Sequence, residues 1–144
     1  MVNITGVCNL NIQNSDSITF TGNLAIFTNG SITMNQLNNW NGSTGNSLYF
    51  ISNYQSAPSC GTYPGSYDIT SSNNSNFTNV SVSFYSPCTV NIVNQNTFSG
   101  QIFAGTAKIT NLCTINFTPV LIPGSDAATI TGFTQSIVYL RESQ

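Results

Sequence analysis

Ser83-Phe84-Tyr85-Ser86-Pro87-Cys88-Thr89-Val90-Asn91-Ile92 decides the fold: two runs of alternating side chains flank a Ser-Pro-Cys corner. Alternation with a period of two marks a strand, and a proline between two such runs marks a turn or bulge. The same order of parts recurs upstream in Ala25-Ile26-Phe27-Thr28-Asn29-Gly30-Ser31-Ile32-Thr33-Met34-Asn35. It recurs again downstream in Ile102-Phe103-Ala104-Gly105-Thr106-Ala107-Lys108-Ile109-Thr110-Asn111. Each copy reads as strand, corner, strand. A third short strand accompanies the last two copies, at Thr97-Phe98-Ser99-Gly100 and Thr114-Ile115-Asn116-Phe117, so one circuit from Phe84 to Phe103 takes 19 residues. Three strands of four or five residues and tight corners fill such a circuit, and alternate side chains then point inward to stack between circuits. The expected fold is all-β: one solenoid domain over residues 1–144 with about four to six incomplete rungs.

Composition fits this geometry. Asparagine, serine and threonine make up about 40% of the chain, against 4% charged residues, where an average soluble domain carries roughly 25%. Asparagine and glycine tolerate the left-handed backbone of corners, and stacked asparagines satisfy one another from rung to rung. The polar richness is therefore read as structural. With two cationic residues and no histidine, phosphate-driven nucleic-acid binding, histidine catalysis and histidine metal ligation are all excluded. The apolar period stays near two throughout, with one weak helical stretch near Met34 to Trp40. No apolar run reaches the ~18 residues needed to cross a membrane, so direct membrane insertion is not expected.

The stretch 54–79, with Pro58, Cys60, Gly61, Pro64 and Gly65, breaks the rung spacing and reads as an insertion loop. Four cysteines allow three connectivities, and none forms a C-x-x-C pair. The preferred pairing is Cys60 with Cys88, tying the loop to the next rung, which leaves Cys8 with Cys113 by elimination. The segment from Pro119 to Glu142 is expected to cap the last rung. Disulfides place the chain outside the cytosol. Met1-Val2-Asn3-Ile4-Thr5 carries no export signal, so a piece of a longer exported protein is the expectation. Seven Asn-x-Ser/Thr sequons begin at Asn3, Asn29, Asn41, Asn73, Asn76, Asn79 and Asn116, a number such a composition produces by chance.

Phe84 to Ile92, followed by Asn94-Gln95-Asn96-Thr97-Phe98-Ser99-Gly100-Gln101-Ile102, resembles the polymer-adhesin-like β-helix domain of bacterial surface proteins related to type IV pilus minor pilins, in the manner of secreted actinobacterial members. Further matching stretches are Asn23 to Phe27, Leu48 to Ile51, Tyr63-Pro64-Gly65, Lys108 to Asn111 and the closing Arg141-Glu142. The resemblance implies a right-handed parallel β-helix, an exported cell-surface location and a structural or pilus-associated role. It implies no catalytic residue. Minor pilins open with an apolar helix that Met1 to Thr5 do not supply.

The candidate chemistry is sparse. Asp16, Asp68, Asp126 and Glu142 are the only general acids or bases, and no local carboxylate pair suited to glycoside hydrolysis exists. They read as turn caps. No metal or cofactor site is expected, and Lys108 reads as a solvent-facing strand residue. Trp40, Tyr54, Tyr63 and Tyr67 are the candidate ligand-binding residues, because aromatic faces stack on sugar rings while neighbouring amides serve the hydroxyls. Trp40, between Asn39 and Asn41, and Tyr63, beside Pro64, are expected to be exposed, whereas Tyr49 and Tyr85 are read as packing residues. The expected function is a non-enzymatic structural or adhesive module with surface glycans or pilus subunits as partners, and with self-association through exposed ends. Two alternatives are a carbohydrate-active enzyme and an ice-binding solenoid, the latter resting on Thr19-Phe20-Thr21 and Thr129-Ile130-Thr131.

Overall fold

A computed structural model describes residues 2–4, 9–13, 17–36, 39–52, 60, 68–94, 97–111 and 113–121. Ten strands form one sheet that curls around its own core. They are β1 (Val2–Ile4), β2 (Leu10–Ile12), β3 (Ile18–Thr19), β4 (Leu24–Thr28), β5 (Ile32–Asn35), β6 (Trp40–Ser52), β7 (Ile69–Ser72), β8 (Phe77–Val93), β9 (Thr97–Thr110) and β10 (Thr114–Phe117).

Every pairing in the sheet is parallel. The chain therefore returns to the same side before each new strand is laid down. In one ladder, Leu24 pairs with Leu48, Leu48 with Val82 and Val82 with Gly100. One inward step along, Ile26, Phe50, Phe84 and Ile102 form the next column. A second ladder stacks Leu10, Ile32, Ile69, Val90 and Ala107. A third begins with Ile18, Trp40 and Phe77. Because the long strands β6, β8 and β9 each contribute to more than one ladder, they bend round the core rather than lying flat.

Stacking identical faces produces the core. Phe50 and Phe84 are fully buried and lie nearly parallel, with ring centroids 5.5 Å apart and a 13° interplanar angle. Trp40 packs on Phe50 at 5.6 Å, and Phe98 meets Phe84 edge-on at 5.5 Å. Buried hydroxyls are satisfied locally: Ser52 Oγ donates to the Gly30 carbonyl at 2.8 Å, and Thr28 Oγ1 accepts the Gly30 N–H at 3.1 Å. Burial without such partners would cost about 1–3 kcal/mol per group.

The corners show where the asparagines go. Asn39, Asn73, Asn74, Asn79, Asn94 and Asn111 all have φ between 52° and 60°, as does Gln36. At one corner the side chains form a continuous column. Asn73 Nδ2 donates to Asn35 Oδ1 at 2.7 Å, Asn94 Nδ2 to Asn73 Oδ1 at 3.4 Å, and Asn111 Nδ2 to Asn94 Oδ1 at 2.6 Å. A carboxamide carries both donors and an acceptor, so it can extend such a column at every strand spacing.

Several sequence expectations need correction. The third echoing segment is out of register by one residue: Phe84 pairs with Ile102, and Phe103 pairs with Tyr85. The likeness of Phe84 and Phe103 misleads because Val82 to Ser86 pair in unbroken register with Gly100 to Ala104, while the bulge of Pro87 and Cys88 opposite Gly105 lies beyond them. A one-residue slip reverses the face, so Phe103 points outward and is 41% exposed. Met34 to Trp40 is no helix, since Ile32 to Asn35 and Trp40 are strand and Gln36 and Asn39 are left-handed. The insertion of residues 54–79 ends earlier, because β7 and the start of β8 fall inside it and pair with their neighbours. Residues 54–59 and 61–67, and the cap beyond Leu121, lie outside the described residues. Among the described residues no helix is long and apolar enough to cross a membrane.

Candidate functional site

Trp40 is not a surface residue. It opens β6 on the inward side, pairs with Ile18 and Phe77, and is 2% exposed against Phe50. The flanking asparagines misled the sequence reading, since they occupy a corner and an outward position on either side of an inward one. Tyr49 is buried at 6% exposure, whereas Tyr85 is 43% exposed on the outer face and is not a packing residue. Tyr54, Tyr63 and Tyr67 lie outside the described residues.

Cys60 and Cys88 are disulfide-bonded, with a Cα–Cα distance of 5.3 Å. Cys113 is a free thiol, so the expected bond to Cys8 is not formed. The ladder order supplies the reason. Asn9 and Leu10 belong to the first step of the second ladder, while Cys113 follows β9 at the last, four strand spacings or about 19 Å away. A disulfide spans at most about 7 Å between Cα atoms. Cys8 itself lies outside the described residues.

Asp68 is a structural bracket. Its Oδ1 accepts the Thr89 N–H at 3.1 Å, and its carbonyl accepts the Ile32 N–H at 2.9 Å. Lys108 is exposed beside Asn91. Asp16, Asp126, Glu142 and the Thr129-Ile130-Thr131 stretch lie outside the described residues. Thr19 pairs with Asn41, which pairs with Thr78, so asparagine interrupts that threonine column.

A groove that the sequence reading missed lies where β6 bulges. Asn41 pairs with Thr78, yet the next pair is Asn46 with Val80, so Gly42 to Gly45 stand opposite Asn79 alone. The surplus residues must leave the ladder, and Gly45 turns with a φ of 90°. Oriented to meet its donors, the Asn46 carboxamide oxygen accepts the Gly22 and Ser43 N–H groups, both at 3.2 Å. The bulge is thus tied to the preceding turn.

Beside it opens a depression of about 380 Å³. Buried Val80 and Phe98 and half-buried Phe77 supply its apolar base. Half-buried Ser81, Ser99 and Thr118 and exposed Thr44, Asn79 and Thr97 supply its polar lining. None of these side chains titrates near neutral pH, so the groove offers donors and acceptors but no general acid or base. A second depression, of about 420 Å³, is apolar and sits at the end of the sheet among Ile102, Phe103, Ile109, Ile115 and Phe117.

The legible signal was Gly42-Ser43-Thr44-Gly45 between strand-forming residues, since glycines inside a strand mark bulges. No known protein family, curated protein or solved structure matches the chain.

Proposed function

We propose that the chain is a right-handed parallel β-helix serving as a non-enzymatic structural or adhesive module on a bacterial cell surface or pilus. The observation that carries this reading is the set of parallel ladders closed at their corner by the Asn35, Asn73, Asn94 and Asn111 column. In it the polar composition is consumed by the scaffold rather than by a reacting centre. The right hand follows from chain chirality, since parallel connections within a sheet are right-handed in about 98% of cases. The Cys60–Cys88 bond supports export, because oxidising compartments are where such bonds persist. Partners of this module are surface glycans or pilus subunits, and the exposed apolar Phe117 and Leu121 near the end of the stack support self-association.

The test is surface labelling of intact producing cells with an antibody to the domain, together with adhesion of domain-coated beads to those cells. Labelling without permeabilisation and bead adhesion are expected. Labelling that requires lysis, with beads that do not adhere, overturns the reading.

A further inference from the structure

We infer that the groove beside the β6 bulge is a binding site for neutral oligosaccharides; this rests on the adhesive reading and names its ligand and its site. The lining is uncharged, and the described charges, Asp68 and Lys108, belong to the second ladder rather than to the groove. An anionic or cationic ligand would lose hydration there with nothing to compensate it. A neutral ligand rich in hydroxyls meets the opposite situation. Serine, threonine and asparagine side chains both donate and accept, as sugar hydroxyls do.

The spacing adds selectivity. Ser81 and Ser99 immediately precede the register partners Val82 and Gly100, whose backbones stand one strand spacing apart, about 4.8 Å. Thr118, whose N–H donates to the Gly100 carbonyl at 3.3 Å, adds a further hydroxyl just past the end of β10, where Asn116 is the register partner of Ser99. An extended glycan presents hydroxyl clusters at a comparable repeat, one per pyranose. The half-buried Phe77 ring, packed on Phe50 and Phe84, offers an apolar surface against which the C–H face of a pyranose can lie. The volume, about 380 Å³, is within the range of small-ligand sites, roughly 300–1,000 Å³.

The test uses the oxidised chain on an array of neutral glucans, mannans and galactans, with sialylated and sulfated glycans as counter-probes. The chain is compared with Thr97→Ala/Ser99→Ala, with Thr44→Trp to fill the groove from its exposed rim, and with Thr106→Ala as a remote control. Neutral glycans should be retained by the parent and by the control. Binding should weaken tenfold or more in the other two, with melting temperatures close to the parent. Retention of charged glycans alone, or undiminished binding by both groove variants, overturns the inference. So does a blank array while coated beads still adhere to cells, an outcome that leaves the adhesive reading standing. Loss of both bead adhesion and surface labelling instead removes the reading itself.

Discussion

Replacing Gly100 by alanine tests the parallel register at its tightest point. Gly100 has a φ of 146°, a region essentially reserved for glycine, and it pairs with Val82 on β8. A Cβ built there would stand 1.8 Å from the Val82 carbonyl oxygen and 2.7 Å from its backbone carbon and nitrogen. Tolerable carbon–oxygen contacts begin near 3.3 Å. The two strands would have to part by about 1.5 Å at a spacing of about 4.8 Å, which breaks the local ladder bonds. The obstacle is backbone, so no side chain can swing away. Backbone strain contributes about 1–3 kcal/mol, and each lost hydrogen bond about 1 kcal/mol more. The expected destabilisation of Gly100→Ala is about 3–5 kcal/mol, a fall in melting temperature of about 10–17 °C for a chain of this size. Gly22→Ala is the control, since a Cβ there meets nothing within 4 Å and should change stability by less than about 0.5 kcal/mol. Thermal melts followed by circular dichroism decide the matter. A Gly100→Ala variant as stable as Gly22→Ala would refute the pairing of Gly100 with Val82.

Asn94 combines a φ of 52° with a place in the middle of the amide column. Asn94→Ala should therefore destabilise by about 1–2 kcal/mol more than Asn94→Gly, which loses the column but keeps the backbone, and equal urea midpoints would contradict this. Replacing Cys60 and Cys88 together by serine opens a link across 28 residues of sequence. On the chain-entropy account stability falls by about 3.5 kcal/mol, and a melt unchanged from the oxidised protein would count against it. Burial pushes the Cys113 thiol up from its ordinary value, so the folded state holds that proton longer than the unfolded chain. Its contribution to stability is full below pH 9.0 and declines as pH rises above it. Alkylation of Cys113 in the native protein at pH 8 should lag a cysteine-containing peptide, and recovery of a Cys8–Cys113 disulfide peptide would contradict the ladder order.

Strand positions were legible because alternation is a local signal. Val82, Phe84, Val90 and Ile92 alternate inward in the sequence and are buried in the structure. The asparagine corners were legible too, because the left-handed backbone they need is a property of single residues. What was not legible depends on counting across distant segments. The slip that exposes Phe103 is one of register, with Phe84 opposite Ile102 and Phe103 opposite Tyr85, and it is visible only once β8 and β9 are paired. The β7 strand was hidden because Ile69-Thr70-Ser71-Ser72 carries one aliphatic residue, and its inward Ser71 is a hydroxyl buried between Met34 and Ile92, with Ser75 as its hydrogen-bond partner. Trp40 was misplaced for a related reason. Its polar neighbours describe the outward face of the strand, while its own position is set by stacking between Ile18 and Phe77. The groove arises from a register shift, and only the glycines of the bulge announced it.

The central claim is that successive circuits of the chain stack in parallel, one strand spacing apart. Asn11, Thr33, Thr70, Asn91 and Lys108 form one column in that order. Spin labels at Asn11→Cys paired in turn with Thr70→Cys, Asn91→Cys and Lys108→Cys, with Cys8 and Cys113 replaced by serine, measure it by electron paramagnetic resonance. Backbone separations of about 10, 14 and 19 Å are expected, rising by one strand spacing at each step. Distances that do not increase in this order would contradict the stack.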